Sequence, residues 1–218
     1  MNGRAGDRGR APTSSAALAG AFAAGMCLLA AGAHRAEWAP LKWAGLLLAV
    51  IAAAGALATA PAPLEMLGLR AVRRGWLAYG LPLLALAAAA AATCRAAQGR
   101  TLVAVGLTLT AVPAVAIGLA EELAYRGLVQ GALARLGAAP AVVIACAAHT
   151  AYKVLLLACA APGEPVSLGH LAGGTFVVGL LLGWTRLRTG NVLPACLFHA
   201  AFDLLAYGDL AALPWWSR

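Results

Sequence analysis

TLVAVGLTLTAVPAVAIGLA, residues Thr101 to Ala120, runs without a charge into Glu121-Glu122-Leu123-Ala124-Tyr125-Arg126. Twenty uncharged residues are enough for a helix to cross a bilayer core about 30 Å thick, which puts the acidic pair at or near membrane depth. A charge there costs about 2.5–3.5 kcal/mol on insertion scales, so such residues usually have partners and a task. On a helix that continues through the motif, Glu122 and Arg126 are four apart and share a face, while Glu121 turns about 100° away from Glu122. The spacing predicts an arginine that holds Glu122 and leaves Glu121 free.

The surrounding chain is equally apolar. Of its 218 residues 62% are hydrophobic and 11% charged, too apolar for a soluble domain of this size. It reads as all-α, a polytopic transmembrane helix bundle of about seven spans. These are 11–33, 43–64 with its helix ending near Ala60, 75–94, 101–120 running on towards Arg135 and Gly137, a fifth from Pro140 to near Pro162, 166–185 and 191–207. Arg4, Arg8 and Arg10 before an apolar run that ends in Ala31-Gly32-Ala33 also fit a cleaved signal peptide, but six further apolar stretches favour an uncleaved first span. Alternation from a cytoplasmic N-terminus puts ten basic residues on or toward the inside (Arg4, Arg8, Arg10, Arg70, Arg73, Arg74, Arg126, Arg135, Arg186, Arg188) and five outside (Arg35, Lys42, Arg95, Arg100, Arg218), as the positive-inside rule requires. The net charge of +8 is scattered singly between apolar runs, so topology explains it: the bilayer is a partner and nucleic acid is not. Five cysteines, odd in number and without paired spacing, read as small buried residues. Trp38, Trp43, Trp76, Trp184, Trp215 and Trp216 sit at proposed span ends as interfacial anchors. Gly169-x-x-x-Gly173 and Gly179-x-x-x-Gly183 are spacings that let helices pack closely.

Inside the later spans the ionisable residues are few: Glu121, Glu122, Arg126, His149, Lys153, His170, His199 and Asp203. His149 and Lys153 are four apart, as are His199 and Asp203, so each pair lies on one helix face. Three helices thus carry polar edges that should turn toward one another rather than to lipid. His170, at the start of its span, is interfacial. Lys153 lies too deep to snorkel and calls for a buried partner such as Asp203 or Glu122. Polar residues can serve as helix glue, but glue does not need a glutamate pair, two histidines and an aspartate. Such a set can supply a general base for a water and donors for an oxyanion.

The pattern resembles the CPBP intramembrane proteases, also called the Abi or CAAX-protease family, which includes the eukaryotic Ras-converting prenyl-protein endopeptidase. The family's Glu-Glu-x-x-x-Arg matches Glu121, Glu122 and Arg126. Its Phe-x-x-x-His matches only at His149, because Ala145 stands at the aromatic position. Its His followed four later by Asn or Asp matches His199 and Asp203. The lead-in Gly183-Trp184-Thr185-Arg186-Leu187-Arg188-Thr189-Gly190-Asn191-Val192-Leu193-Pro194 and the connector Leu67-Gly68-Leu69-Arg70 are also similar to the family's. The likeness covers roughly 65–207 and divides the chain into 1–64, a tail with two peripheral helices, and 65–218, a protease core with motifs at 121–126, 145–149 and 199–203.

The resemblance implies hydrolysis of a peptide bond in a membrane-associated peptide or protein, by an integral, multi-pass protein of a bacterial inner membrane. It makes Glu121 the general base, His149 the residue that orients the water, and His199 with Asp203 the oxyanion stabilisers. Glu122 paired with Arg126 locks the helix, and Lys153 has a supporting place. An Asp203 that donates to an oxyanion must be protonated. Zinc on Glu121, His149 and His199 is the metal alternative. With no His-Glu-x-x-His and ligands drawn from three helices, no cofactor or metal is favoured. Two other readings share the scaffold: a non-catalytic bacteriocin-immunity or binding protein, and a small transporter using Glu121, Lys153 and Asp203 as a proton relay.

Overall fold

Alanine and glycine let the first two helices approach until their backbones touch. In the computed structural model, which describes residues 13–70, 76–160 and 166–212, α1 (Thr13–Gly32) and α2 (Ala39–Thr59) pack along Ala19, Ala30, Ala49, Ala52 and Ala56, all buried. A Cβ on Gly25 would lie 2.7 Å from the Gly45 carbonyl oxygen and the Ala49 nitrogen, so the close approach depends on glycine there. A single turn, Pro63–Met66, leads to α3 (Leu77–Ala97). Then come α4 (Ala111–Glu122), α5 (Ala138–Ala158), α6 (Leu168–Thr189) and α7 (Leu193–Tyr207).

Every described element is helical or a connector, and α1, α2, α3, α5 and α6 are, among the described residues, the helices long and apolar enough to cross a membrane. α7 is apolar but shorter. The all-α membrane bundle is therefore as expected, with five full-length candidate spans where seven were anticipated. The flank Arg4, Arg8 and Arg10, the connector arginines Arg73 and Arg74, Pro162, Trp215, Trp216 and Arg218 lie outside the described residues.

The helices alternate in direction. Ser14 at the start of α1, Thr59 at the end of α2, Arg135 beyond α4 and Arg186 near the end of α6 line one cavity and so mark one end of the bundle. The start of α7 joins that end, because Val192 donates its backbone N–H to Gly68 and the Asn191 side chain donates to the Arg70 carbonyl. The end of α3 and the start of α4 meet the end of α7 at the other.

The deciding stretch itself is where the expectation fails. Residues 101–110 are not helical, and α4 begins only at Ala111. β-Branched Thr101, Val103, Val105, Thr108 and Thr110 with Gly106 make a poor helix, and the backbone groups of the stretch are satisfied from elsewhere. Arg95 donates to the carbonyls of Thr101 and Val103, and Asp209 accepts from the Val105 N–H. Gly208 accepts from the Thr108 N–H at 2.7 Å. Beyond Glu122 the rod continues as expected toward Gly137, but as π-helix over Leu123–Val129, followed by one α turn, Gln130–Ala132. Gly137 then breaks the rod at φ 108°, a conformation open to glycine.

Of the two glycine spacings in α6, only the second is packed. A Cβ on Gly179 would lie 2.9 Å from an Arg126 nitrogen and one on Gly183 2.9 Å from Val142, whereas nothing lies within 4 Å of Gly169 or Gly173. His170 is exposed at the α6 start, where the Ser167 hydroxyl accepts from its backbone N–H. Trp38, Trp43 and Trp184 are exposed near helix ends, with Arg35, Lys42 and Arg188 over their respective rings.

Candidate active site

Three helices bring the ionisable residues together. Glu121, Glu122, Arg126, His149 and Asp203 are each less than 5% exposed, while the His199 and Lys153 side chains are 15% and 12% exposed. Arg126 on the π-helical turn donates from Nη1 to Glu122 Oε1 at 3.0 Å and to His149 Nδ1 at 2.8 Å. A guanidinium has no acceptor, so Nδ1 of His149 carries the lone pair and the ring's proton sits on Nε2. That N–H faces Glu121 Oε2 at 3.4 Å. One arginine thus anchors a carboxylate and sets a tautomer.

From α7, His199 donates from Nδ1 to Glu122 Oε1 at 2.9 Å. Its Nε2 looks toward Glu121 Oε2 at 3.6 Å and Asp203 Oδ2 at 3.8 Å. Oδ2 of Asp203 is buried and has no hydrogen-bond partner among the described residues. Three carboxylates against Arg126 and Lys153 leave one negative charge to balance, which one proton on the His199–Asp203 pair does.

Lys153 corrects the sequence expectation. Its Nζ lies 2.6 Å from Glu121 Oε1, a partner the spacing did not suggest, while its charge also acts on Asp203 as expected. Nor is Glu121 left free. Helical spacing placed Glu121 off the arginine face correctly, but could not show that this direction runs into α5. There Lys153 and the Tyr152 hydroxyl reach Glu121. The result divides the carboxylate: Oε1 is held by the lysine, and Oε2 faces both imidazoles.

The sequence reading passed over four residues. Tyr125 stacks on His149 with ring centroids 4.5 Å apart, and Phe22 of α1 meets Tyr125 edge-on at 6.3 Å. The aromatic absent at Ala145, itself buried, is thus matched by a ring from within the acidic motif. Tyr152, three residues after His149, is on the polar face of α5 and was legible by its spacing. Gly118 was not: a Cβ there would strike Asp203 Oδ2 and lie 2.9 Å from His199 Cδ2, a contact only tertiary structure reveals.

Neither the curated proteins nor the solved structures compared with the chain include a match. Residues 102–205, which hold every ionisable residue of this cluster, match the family model described as Rce1-like, type II CAAX prenyl endopeptidase Rce1-like, a model of the CPBP/CAAX-protease family.

Proposed function

We propose that the chain is an intramembrane endopeptidase that hydrolyses a peptide bond with a glutamate-activated water. The observation that carries this reading is that Glu121 Oε2 lies 3.4 Å from one imidazole and 3.6 Å from another. A water at Oε2 gives its proton to Glu121 as its oxygen attacks the scissile carbonyl carbon. The His149 Nε2–H orients that water. The balancing proton on the His199–Asp203 pair, carried by His199 Nε2 or by the Asp203 carboxyl, is donated to the oxyanion. The proton on Glu121 passes to the leaving nitrogen as the C–N bond breaks, while the water's second proton stays on the acyl product, yielding a carboxylic acid and an amine and returning Glu121 to its carboxylate. Glu122 and Arg126 hold the frame, and Lys153 aims Oε2 by fixing Oε1. The substrate is a membrane-associated peptide or protein, processed near its C-terminus or during peptide maturation, and the setting is a bacterial inner membrane.

The same donor set supports metal-free chemistry. Zinc on Glu121, His149 and His199 needs a lone pair on the imidazole nitrogen facing it, but the Arg126 bond puts the proton of His149 on that nitrogen. The lysine cation already sits 2.6 Å from the Glu121 carboxylate. A strong chelator is therefore expected to leave cleavage unchanged, and loss of activity restored by added zinc would contradict the reading.

The decisive experiment compares Glu121→Gln with wild type by mass spectrometry of membrane-anchored peptides. A loss of about 10²–10⁴-fold in cleavage is expected. Identical peptide termini in the two strains would remove the protease reading and leave a binding or immunity role. Proton flux in vesicles that depends on Glu121 and Lys153 would instead favour a transporter.

A further inference from the structure

Where α1 begins, α2 and α6 end and the rod beyond α4 reaches Arg135, the bundle forms an open cavity of about 1200 Å³. It shares no residue with the acidic cluster, since its wall from the rod beyond α4 starts at Gly131, past Arg126. Arg70, Arg135 and Arg186 line it against one acid, Glu65, and Glu65 is already paired with Arg70 at 2.5 Å. Among the described residues, Arg135 and Arg186 therefore bring positive charge that no acid of the lining balances. The Nη2 of Arg186 donates to the Met66 carbonyl, while its Nε is buried without a hydrogen-bond partner among the described residues. A buried donor on a cation is costly to leave unmade, and an anion is the ligand that completes it. Ser14 and Ser15 add hydroxyl donors to the lining.

The depth of the cavity identifies the class of anion. Its walls include the first turn of α1 and the last turns of α2 and α6, all candidate membrane spans. The ends of spans lie at headgroup level. Guanidinium groups match phosphate geometry with paired N–H donors, and basic pockets between span ends are sites for phosphate-bearing lipid heads. Most of the remaining lining is alanine and glycine, which leaves room for a headgroup. We infer that this cavity binds the phosphate of an anionic phospholipid, held by Arg135 and Arg186 with Ser14 and Ser15 as further donors. The site is independent of peptide hydrolysis.

The test titrates the full-length protein in mild detergent with dihexanoyl phosphatidylglycerol, reading binding by native mass spectrometry and the shift in Tm. Binding at least about tenfold tighter than to dihexanoyl phosphatidylcholine is expected. Arg135→Gln and Arg186→Gln should each weaken it about fivefold, the factor equivalent to about 1 kcal/mol per arginine at a lipid surface. Arg135 is exposed, so its variant keeps the test open if the Arg186 variant does not fold. Equal binding of the zwitterionic lipid, or affinity unchanged in Arg135→Gln, overturns the inference. Displacement by equimolar inorganic phosphate would reassign the site to a free anion, and displacement by an acidic peptide to a peptide; either result rejects the lipid.

Discussion

Gly118 is the residue at which packing and chemistry meet most directly. It lets α4 press against α7 so that His199 reaches the Glu121 carboxylate with Asp203 beside its ring. Gly118→Ala pushes His199 outward, and a misplacement near 1 Å at a reacting group costs on the order of 10²-fold in rate. A ten- to hundredfold loss of kcat is therefore expected, with overpacking lowering stability by about 1–3 kcal/mol. Gly173→Ala, where an added Cβ meets nothing within 4 Å, is the control. Equal activities of the two variants would show that the α4–α7 approach does not position the site. The division between the glutamates is legible in the sequence because it follows from 100° per residue on a helix. Lys153 as the close partner of Glu121 is not, because its side chain arrives from a different helix.

At the scale of elements, the clasp joining the end of α3 to the end of α7 replaces the helix that residues 101–110 do not form. Arg95 is 1% exposed and donates to both carboxylate oxygens of Asp209 at 2.8 Å, and Arg100 pairs with the same carboxylate. The Arg95 hydrogen bond holds the Asp209 carboxyl well below the usual carboxylate range, with the Val105 N–H adding to it. A carboxylate depressed in the folded state stabilises the fold above its unfolded value, about 3.9, and loses that contribution as pH falls through the folded value. Asp209→Asn removes the counter-charge of Arg95 and Arg100 while the backbone acceptors of Arg95 remain, and should destabilise by about 1 kcal/mol at neutral pH. The gap in Tm to wild type is expected to hold from pH 7 to about 5 and to narrow below about 4. A gap that widens on acidification would contradict the clasp. The apolar run 101–120 looked like one span because hydropathy does not register where backbone hydrogen bonds go. The structure decides that through Arg95 and Asp209, more than a hundred residues apart in the chain.

For the molecule as a whole, alternation of the helices puts Arg70, Arg135 and Arg186 around one cavity and Arg95 and Arg100 at the opposite end, the same partition that charge counting assigns to inside and outside. We propose that the cavity end faces the cytoplasm. An epitope inserted after Gly137 should then be accessible only from the cytoplasmic side and one after Gly99 only from the other; the reverse pattern inverts the topology. The sequence by itself determined the membrane bundle, the approximate helices and the family motifs, because apolar runs and i,i+4 spacings are local properties of the chain. Only the tertiary structure decided the late start of α4, the π-helical turn under Arg126, the tautomer of His149 and the meeting of Lys153 with Glu121. Each of these depends on which side chain a neighbouring helix presents at a few ångströms, and that is set by packing across the bundle rather than by order along the chain.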